Sequence, residues 1–178
     1  PACNEIISLM ESSQGVLWAG TWYGGLARFN KETGQFRYYF GEGDTLTIPR
    51  IRTLFQRTAN SFYLGSDDGL YTFNTTTGEC LPTDDEQNKE SIYACYQDRE
   101  GGIWIGTYFS GVSYLSPKHK DIEWYYPNGT ENSLSGNVIS QFCEDPDGNI
   151  WIATEDGGLN LFDPRTKKFK NHLLKSNN

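Results

Sequence analysis

Four pairs of residues stand at equivalent places along the chain: Trp22-Tyr23, Asp67-Asp68, Tyr108-Phe109 and Glu155-Asp156. Two pairs are aromatic and two are acidic. Flat rings such as Trp22, Tyr23, Tyr108 and Phe109 pack on the C–H faces of sugars, and carboxylates such as Asp67 or Glu155 accept bonds from sugar hydroxyls. The same side chains also suit plain loop tips, with Trp22 folding over a neighbouring element. Cleavage of a glycosidic bond is a further reading, because it uses two carboxyl groups at a set separation. Asp67 or Asp68 with Glu155 or Asp156 is the one set available for it, and no arginine recurs nearby to receive an acidic sugar.

Metal and cofactor chemistry finds little support. The Asp145-Pro146-Asp147-Gly148-Asn149 segment alternates oxygens as calcium loops do, but its glycine is in the fourth position where an EF-hand needs it in the sixth. It reads as a hairpin turn. The spacing from Gly148 to Trp151 also resembles the sialidase Asp-box, with the aspartate one residue out. His119 and His172 are the only histidines and have no second ligand at metal spacing. Cys3, Cys80, Cys95 and Cys143 form no CxxC motif, and nothing pairs them. No cofactor and no metal are expected.

The elements that must position the four pairs repeat. The ring residues Trp18, Tyr63, Trp104 and Trp151 are 45, 41 and 47 residues apart. Each is followed two residues later by Gly20, Gly65, Gly106 or Ala153, which implies close approach of a neighbouring sheet. A short apolar run precedes each ring residue: Ile6 to Met10, Ile51 to Phe55, Ile92 to Tyr96, Val138 to Cys143. A third strand starts at Leu26, Leu70, Val112 and Leu159. A fourth follows an Asx-led turn, as in Asn30-Lys31-Glu32-Thr33-Gly34 and Asp163-Pro164-Arg165-Thr166, and only Cys80-Leu81 marks it in the second repeat.

A period in the forties with several strands per unit is the signature of a β-propeller, one blade per repeat. The expectation is an all-β chain of four four-stranded antiparallel blades, a partial propeller in one domain. The repeats run approximately 1–45, 46–86, 87–133 and 134–178. Trp18, Trp104 and Trp151 are assigned to the core because they recur at one strand position. Cys80 and Cys95 replace phenylalanines of other repeats and read as small buried hydrophobes. The pairs lie between the second and third strands, on the face where the long inter-blade connections also emerge. Two connections share a leucine, Leu46 and Leu134, 17 residues before the ring residue. The middle connection lacks it and is acidic, with Asp84, Asp85, Glu86 and Glu90.

The chain of 178 residues carries a net charge of −8, which argues against nucleic acid and anionic membrane surfaces as partners. Nineteen glycines and 15% aromatic residues suit many short strands joined by tight turns. No apolar run approaches membrane-spanning length and no leader is present, so an exported parent would carry its targeting segment elsewhere.

The repeats resemble the two-component regulator propeller repeat, whose unit runs N-x-I-x-x-I-x-E-D-x-x-G-x-[LI]-W-I-G-T-x-x-G-G-L-x-x-[FY]-[DN]-x-x-T-x-x-F. Residues Val138 to Phe169 match it almost throughout, and the first repeat matches from Leu17 onward. The resemblance implies the periplasmic sensor region of a membrane-bound hybrid histidine kinase, of the kind Bacteroidetes use to detect glycans. It also implies further propeller blades, a membrane helix and a kinase elsewhere in the parent.

Three functions follow as expectations: a ligand-sensing module for oligosaccharides with no activity of its own, a propeller hydrolase or lyase, and a protein-interaction platform. Arrays leave apolar blade faces open at their ends. Ile6, Leu9 and Trp18 at one end, and Phe142, Trp151 and Phe162 at the other, are expected to lie bare. Further blades of the parent, or self-association of this chain, would cover them.

Overall fold

A computed structural model describes residues 5–48, 50–83, 89–118 and 122–172. Cys3, Asp84, Asp85, Glu86 and His119 lie outside them. The described residues form sixteen strands in four four-stranded antiparallel sheets, without an α-helix. Each sheet runs in chain order. The chain divides into two compact units, residues 1–92 and 93–178.

The first unit holds two sheets. One is β1 (Ile6–Glu11), β2 (Leu17–Thr21), β3 (Leu26–Asn30) and β4 (Gln35–Tyr39); the other is β5 (Ile51–Thr58), β6 (Ser61–Ser66), β7 (Gly69–Asn74) and β8 (Cys80–Pro82). Strand alternation turns Trp18 of β2 toward the second sheet. Phe62 and Phe73 meet it edge-on, with ring centres at 5.1 and 5.9 Å. Leu26, Phe40, Ile48, Ile51 and Leu64 complete this core.

The second unit repeats the plan. Its first sheet is β9 (Ile92–Gln97), whose first residue closes the first unit, with β10 (Ile103–Thr107), β11 (Val112–Leu115) and β12 (Ile122–Tyr125). Its second is β13 (Ile139–Glu144), β14 (Ile150–Thr154), β15 (Gly158–Asp163) and β16 (Lys168–His172). Trp104 sits among Tyr114, Tyr125, Phe142 and Phe162. Leu134, from the connection between the sheets, is buried in the same cluster.

The small residue after the ring does what its size implies. A Cβ on Gly20 would stand 2.2 Å from the Ile51 carbonyl oxygen, and one on Gly106 would stand 2.4 Å from Ile139 Cγ2. The Asx turns also form. Asn30 Oδ1 accepts from the amides of Glu32 and Thr33, and Asn74 Oδ1 from those of Thr76 and Thr77. Asp145 spends its oxygens on the amides of Asp147 and Asn149 and on the Asn149 side chain. That is the turn reading of the segment.

Three expectations need correction. Trp151 is only half-buried and lies outside the core cluster; His172 is its ring neighbour at 5.5 Å. Trp18 and Trp104 are buried because a following sheet of their own unit packs over them, and no described sheet of the second unit covers Trp151. The open faces differ accordingly. Trp18, Phe142 and Phe162 are buried, whereas Ile6, Leu9, Phe36 and Leu159 are exposed. The third correction is to Cys80 and Cys95, which are half-buried rather than buried. Burial still pushes both thiols up to about 12, so they are poor nucleophiles at neutral pH. Cys80, Cys95 and Cys143 are free thiols.

Candidate functional site

One hydroxyl device presents each of the four pairs. The Thr or Ser that ends the second strand of each sheet donates to the carbonyl of a following glycine. The bonds are Thr21 to Gly25 (2.9 Å), Ser66 to Gly69 (3.0 Å), Thr107 to Gly111 (3.0 Å) and Thr154 to Gly158 (2.9 Å). The same oxygen accepts an amide from inside the turn: Gly24, Asp68, Ser110 or Gly157. All four acceptor glycines have positive φ, between 69° and 120°, a conformation that costs a side-chain-bearing residue strain. The pair is held between hydroxyl and glycine, and Tyr23, Asp68, Phe109 and Glu155 are exposed.

The turn meets the end of the inter-blade connection, as the repeat reading expects. The Trp22 amide donates to the Glu5 carbonyl at 3.0 Å, and Ser91 Oγ donates to the Asp67 carbonyl at 2.8 Å. Asp156 accepts the amides of Asn137 and Val138 at 3.0 and 3.1 Å. Burial raises the Asp156 pKa, but these two bonds outweigh it and hold the carboxyl below its usual value. Asp156 thus ties the connection to the turn, and Glu155 beside it is exposed.

In the first unit the structure brings Trp22, Tyr23 and Asp67 together through two arginines. Arg50 and Arg52 both bond to the Asp67 carboxylate, one guanidinium to each oxygen. The Arg50 guanidinium also lies 5.0 Å from the Trp22 ring centre and 5.9 Å from that of Tyr23, and Arg52 lies 5.2 Å from Trp22. These are cation–π distances. Trp22 and Tyr23 meet edge to face at 6.2 Å, and Tyr23 remains 60% exposed. Asp68, beside Asp67, is exposed.

The arginines are the residues that the repeat comparison missed. They flank Ile51, whose equivalents are Ile6, Ile92 and Ile139. The neighbouring residues in the other repeats are Glu5 and Ile7, Ser91 and Tyr93, Val138 and Ser140. The positions beside the leading isoleucine vary as freely as the pairs do, and that variation is the signal that could have found them.

In the second unit Tyr108 stacks on Tyr93, with ring centres 4.9 Å apart and planes 25° apart. Phe109 meets Tyr108 edge-on at 4.2 Å and is 70% exposed. The result is a three-ring platform with one ring in solvent.

The Asp67 carboxyl has a definite protonation state. Burial alone would raise its pKa, but hydrogen bonds from Arg52 and Arg50, with their charges, bring it below the usual 3.8. A carboxyl held this low carries no proton at neutral pH, so Asp67 is not a general acid. Its depressed pKa contributes stability that is fully present above the unfolded value and is lost as pH falls through the lower folded value. Thermal melts from about pH 6 down to about pH 2 should show this as a gap between the chain and Asp67→Asn. The gap is expected to be open at pH 6 and to close at the acid end; a constant gap would show that the carboxylate's charge contributes nothing.

Among the described residues no group of three or more His, Cys, Asp and Glu side chains could hold a metal ion. No helix of the described residues is long and apolar enough to cross a membrane.

The architecture is shared with known proteins. The chain aligns over 99% of its length, at a TM-score of 0.82 and 17% identity, with a protein from B. thetaiotaomicron described as the extracellular domain of a hybrid two component system. A second such domain from that organism aligns over 98% at 0.78 and 22% identity. The chain spans 22% of the length of each. A streptogramin B lyase aligns over 99% of the chain and 57% of its own length, at 0.66 and 11% identity. At these identities the likeness shows a fold, the β-propeller blade. No curated protein matches the chain. The model of the two component regulator propeller matches residues 2–23, 86–109 and 133–156. Each matched segment runs through the first two strands of a repeat and ends at the presented pair, so three of the four repeats match the two component regulator propeller model.

Proposed function

We propose that this chain is part of the extracytoplasmic ligand-sensing region of a two-component histidine kinase, and that within each unit the turns that present the pairs are where it senses an oligosaccharide. One observation carries the reading. Tyr23 and Phe109 occupy the same place in their repeats, stand largely in solvent, and are each backed by a second ring, Trp22 or Tyr108. Backed, exposed rings are pre-oriented surfaces for a sugar face, and lose little side-chain freedom when one docks. Similarity to two extracellular domains of hybrid two-component systems supports the cellular setting. Signal output would belong to kinase parts of the parent, with this chain contributing binding alone.

The test is a glycan array followed by titration of the hits. Phe109→Ala and Tyr23→Ala are each expected to weaken binding about tenfold, consistent with loss of a stacking contact of about 1–1.5 kcal/mol. Turnover of a hit that stops on mutating Glu155 would replace this reading with a hydrolase. Binding that ignores both rings would move the site elsewhere.

A further inference from the structure

We infer that the Arg50–Arg52–Asp67 cluster beneath Trp22 and Tyr23 is an anion subsite, which makes the preferred ligand an acidic oligosaccharide carrying a carboxylate or sulfate. This rests on the sensing reading above and narrows its ligand class.

One carboxylate serves two guanidiniums, one at each oxygen. A single such pair would bind one arginine through both oxygens, the arrangement that uses the guanidinium fork best. Sharing Asp67 leaves Arg50 bonded to one carboxylate oxygen, through Nη1. Arg50 Nε is buried and has no hydrogen-bond partner. The Arg50 side chain is 37% exposed, against 14% for Arg52, so Arg50 is the one a ligand can reach. Asp67 and the two rings hold its head in place before any ligand arrives, which lowers the ordering cost of binding.

The surroundings favour a sugar as carrier of the anion. Trp22 and Tyr23 border the guanidinium, and Tyr23 is the more exposed ring. A pyranose lying against Tyr23 would hold an acidic substituent within reach of Arg50. The chain is acidic overall, so a cationic point on it favours an anionic over a neutral ligand only at short range, through the Arg50 charge. Neither arginine is required by the blade: the equivalent positions in the other repeats carry glutamate, isoleucine, serine, tyrosine and valine. Purely structural residues of this array, the ring, the hydroxyl and the glycine, recur in all or nearly all copies.

Titration calorimetry on the chain with trigalacturonic acid, neutral galactotriose and a sulfated galactotriose tests the inference. At low ionic strength at least one acidic trisaccharide is expected to bind about tenfold or more tighter than the neutral one. That preference should shrink in about 0.5 M salt, where charges are screened within a few ångströms. R50Q, checked for folding by circular dichroism, is expected to bring the acidic sugar down to the neutral one. R50K is expected to recover part of the loss, because it keeps the charge without the fork. Whichever acidic arm responds identifies carboxylate or sulfate as the group. Neutral galactotriose binding as tightly as both acidic sugars overturns the anion subsite and leaves the sensing reading intact, as does an acid preference that R50Q retains. If none of the three binds the folded chain, the oligosaccharide reading fails and takes this inference with it. The salt comparison needs no variant, so a misfolded R50Q does not shield the proposal.

Discussion

Replacing Trp104 by alanine is expected to lower the stability of the chain by about 3–5 kcal/mol, the usual cost of emptying a buried aromatic site. Trp104 is 1% exposed and packs against four rings, Tyr114, Tyr125, Phe142 and Phe162. Its Nε1 donates to Asp98 Oδ2 at 2.9 Å. Asp98 also accepts the Gly102 amide, so the indole is linked to the hairpin turn that precedes it. Alanine therefore opens a cavity between two sheets and leaves a carboxylate oxygen without its donor, and these losses add. Trp151 occupies the same strand position but is half-buried with one ring neighbour, and Trp151→Ala is expected to cost well under half as much. Urea titrations of the two variants give the comparison. Equal losses would show that the ring position, rather than the sheet packed over it, sets the energetics.

The second large effect is expected at Gly25. This residue has φ +69°, and a Cβ there would stand 2.2 Å from the Tyr39 carbonyl oxygen and 2.7 Å from the Phe40 backbone carbon. Gly34 has the same φ of +69° and nothing within 4 Å of its Cβ position. Both alanine variants incur the left-handed backbone strain, about 1 kcal/mol. Only Gly25→Ala must also push the end of β4 away from β3, disturbing the turn that presents Trp22 and Tyr23. Its loss is expected to exceed that of Gly34→Ala by about 2 kcal/mol or more. Calorimetric melts of the pair separate the two terms, because the strain is common and the clash is not. Similar melting temperatures would mean that the β3–β4 edge yields at little cost.

The repeats made most of the blade legible. Alternation and turn residues placed the strands, although β5 runs on to Thr58, beyond the Phe55 that its apolar run predicts. The Asx turns form as read. Comparison of four copies separated what packing demands from what is free to vary. It failed in two places, for different physical reasons. Trp151 looks identical to Trp104 in sequence, and its burial depends on a sheet packing over it, which no local pattern encodes. Arg50 and Arg52 stand outside the variable turns, so no single turn in the sequence points to them. The site forms where the turn after β2 meets the start of β5, a meeting of two repeats rather than a property of either. Asp67 and Asp156 showed the converse. They read as two free acids, yet one is held by guanidiniums and the other by backbone amides, so neither is available as the shared motif implied.

The hydroxyl-to-glycine clasp at each turn has a consequence for how such chains diversify. The clasp is closed by a Thr or Ser hydroxyl and a glycine carbonyl, and it closes around two aromatic pairs, a doubly acidic pair and a mixed acidic pair alike. In the second copy it closes with one residue fewer. Of the enclosed side chains Tyr23, Phe109 and Glu155 stand exposed outside it, whereas Asp67 and Asp156 are committed to the arginines and to backbone amides. Substitutions at those exposed members are expected to escape the stability cost that restrains most of the blade, so these positions can change on an unchanging frame. A gene that duplicates such a blade thereby acquires a turn whose exposed residues are open to change from the start.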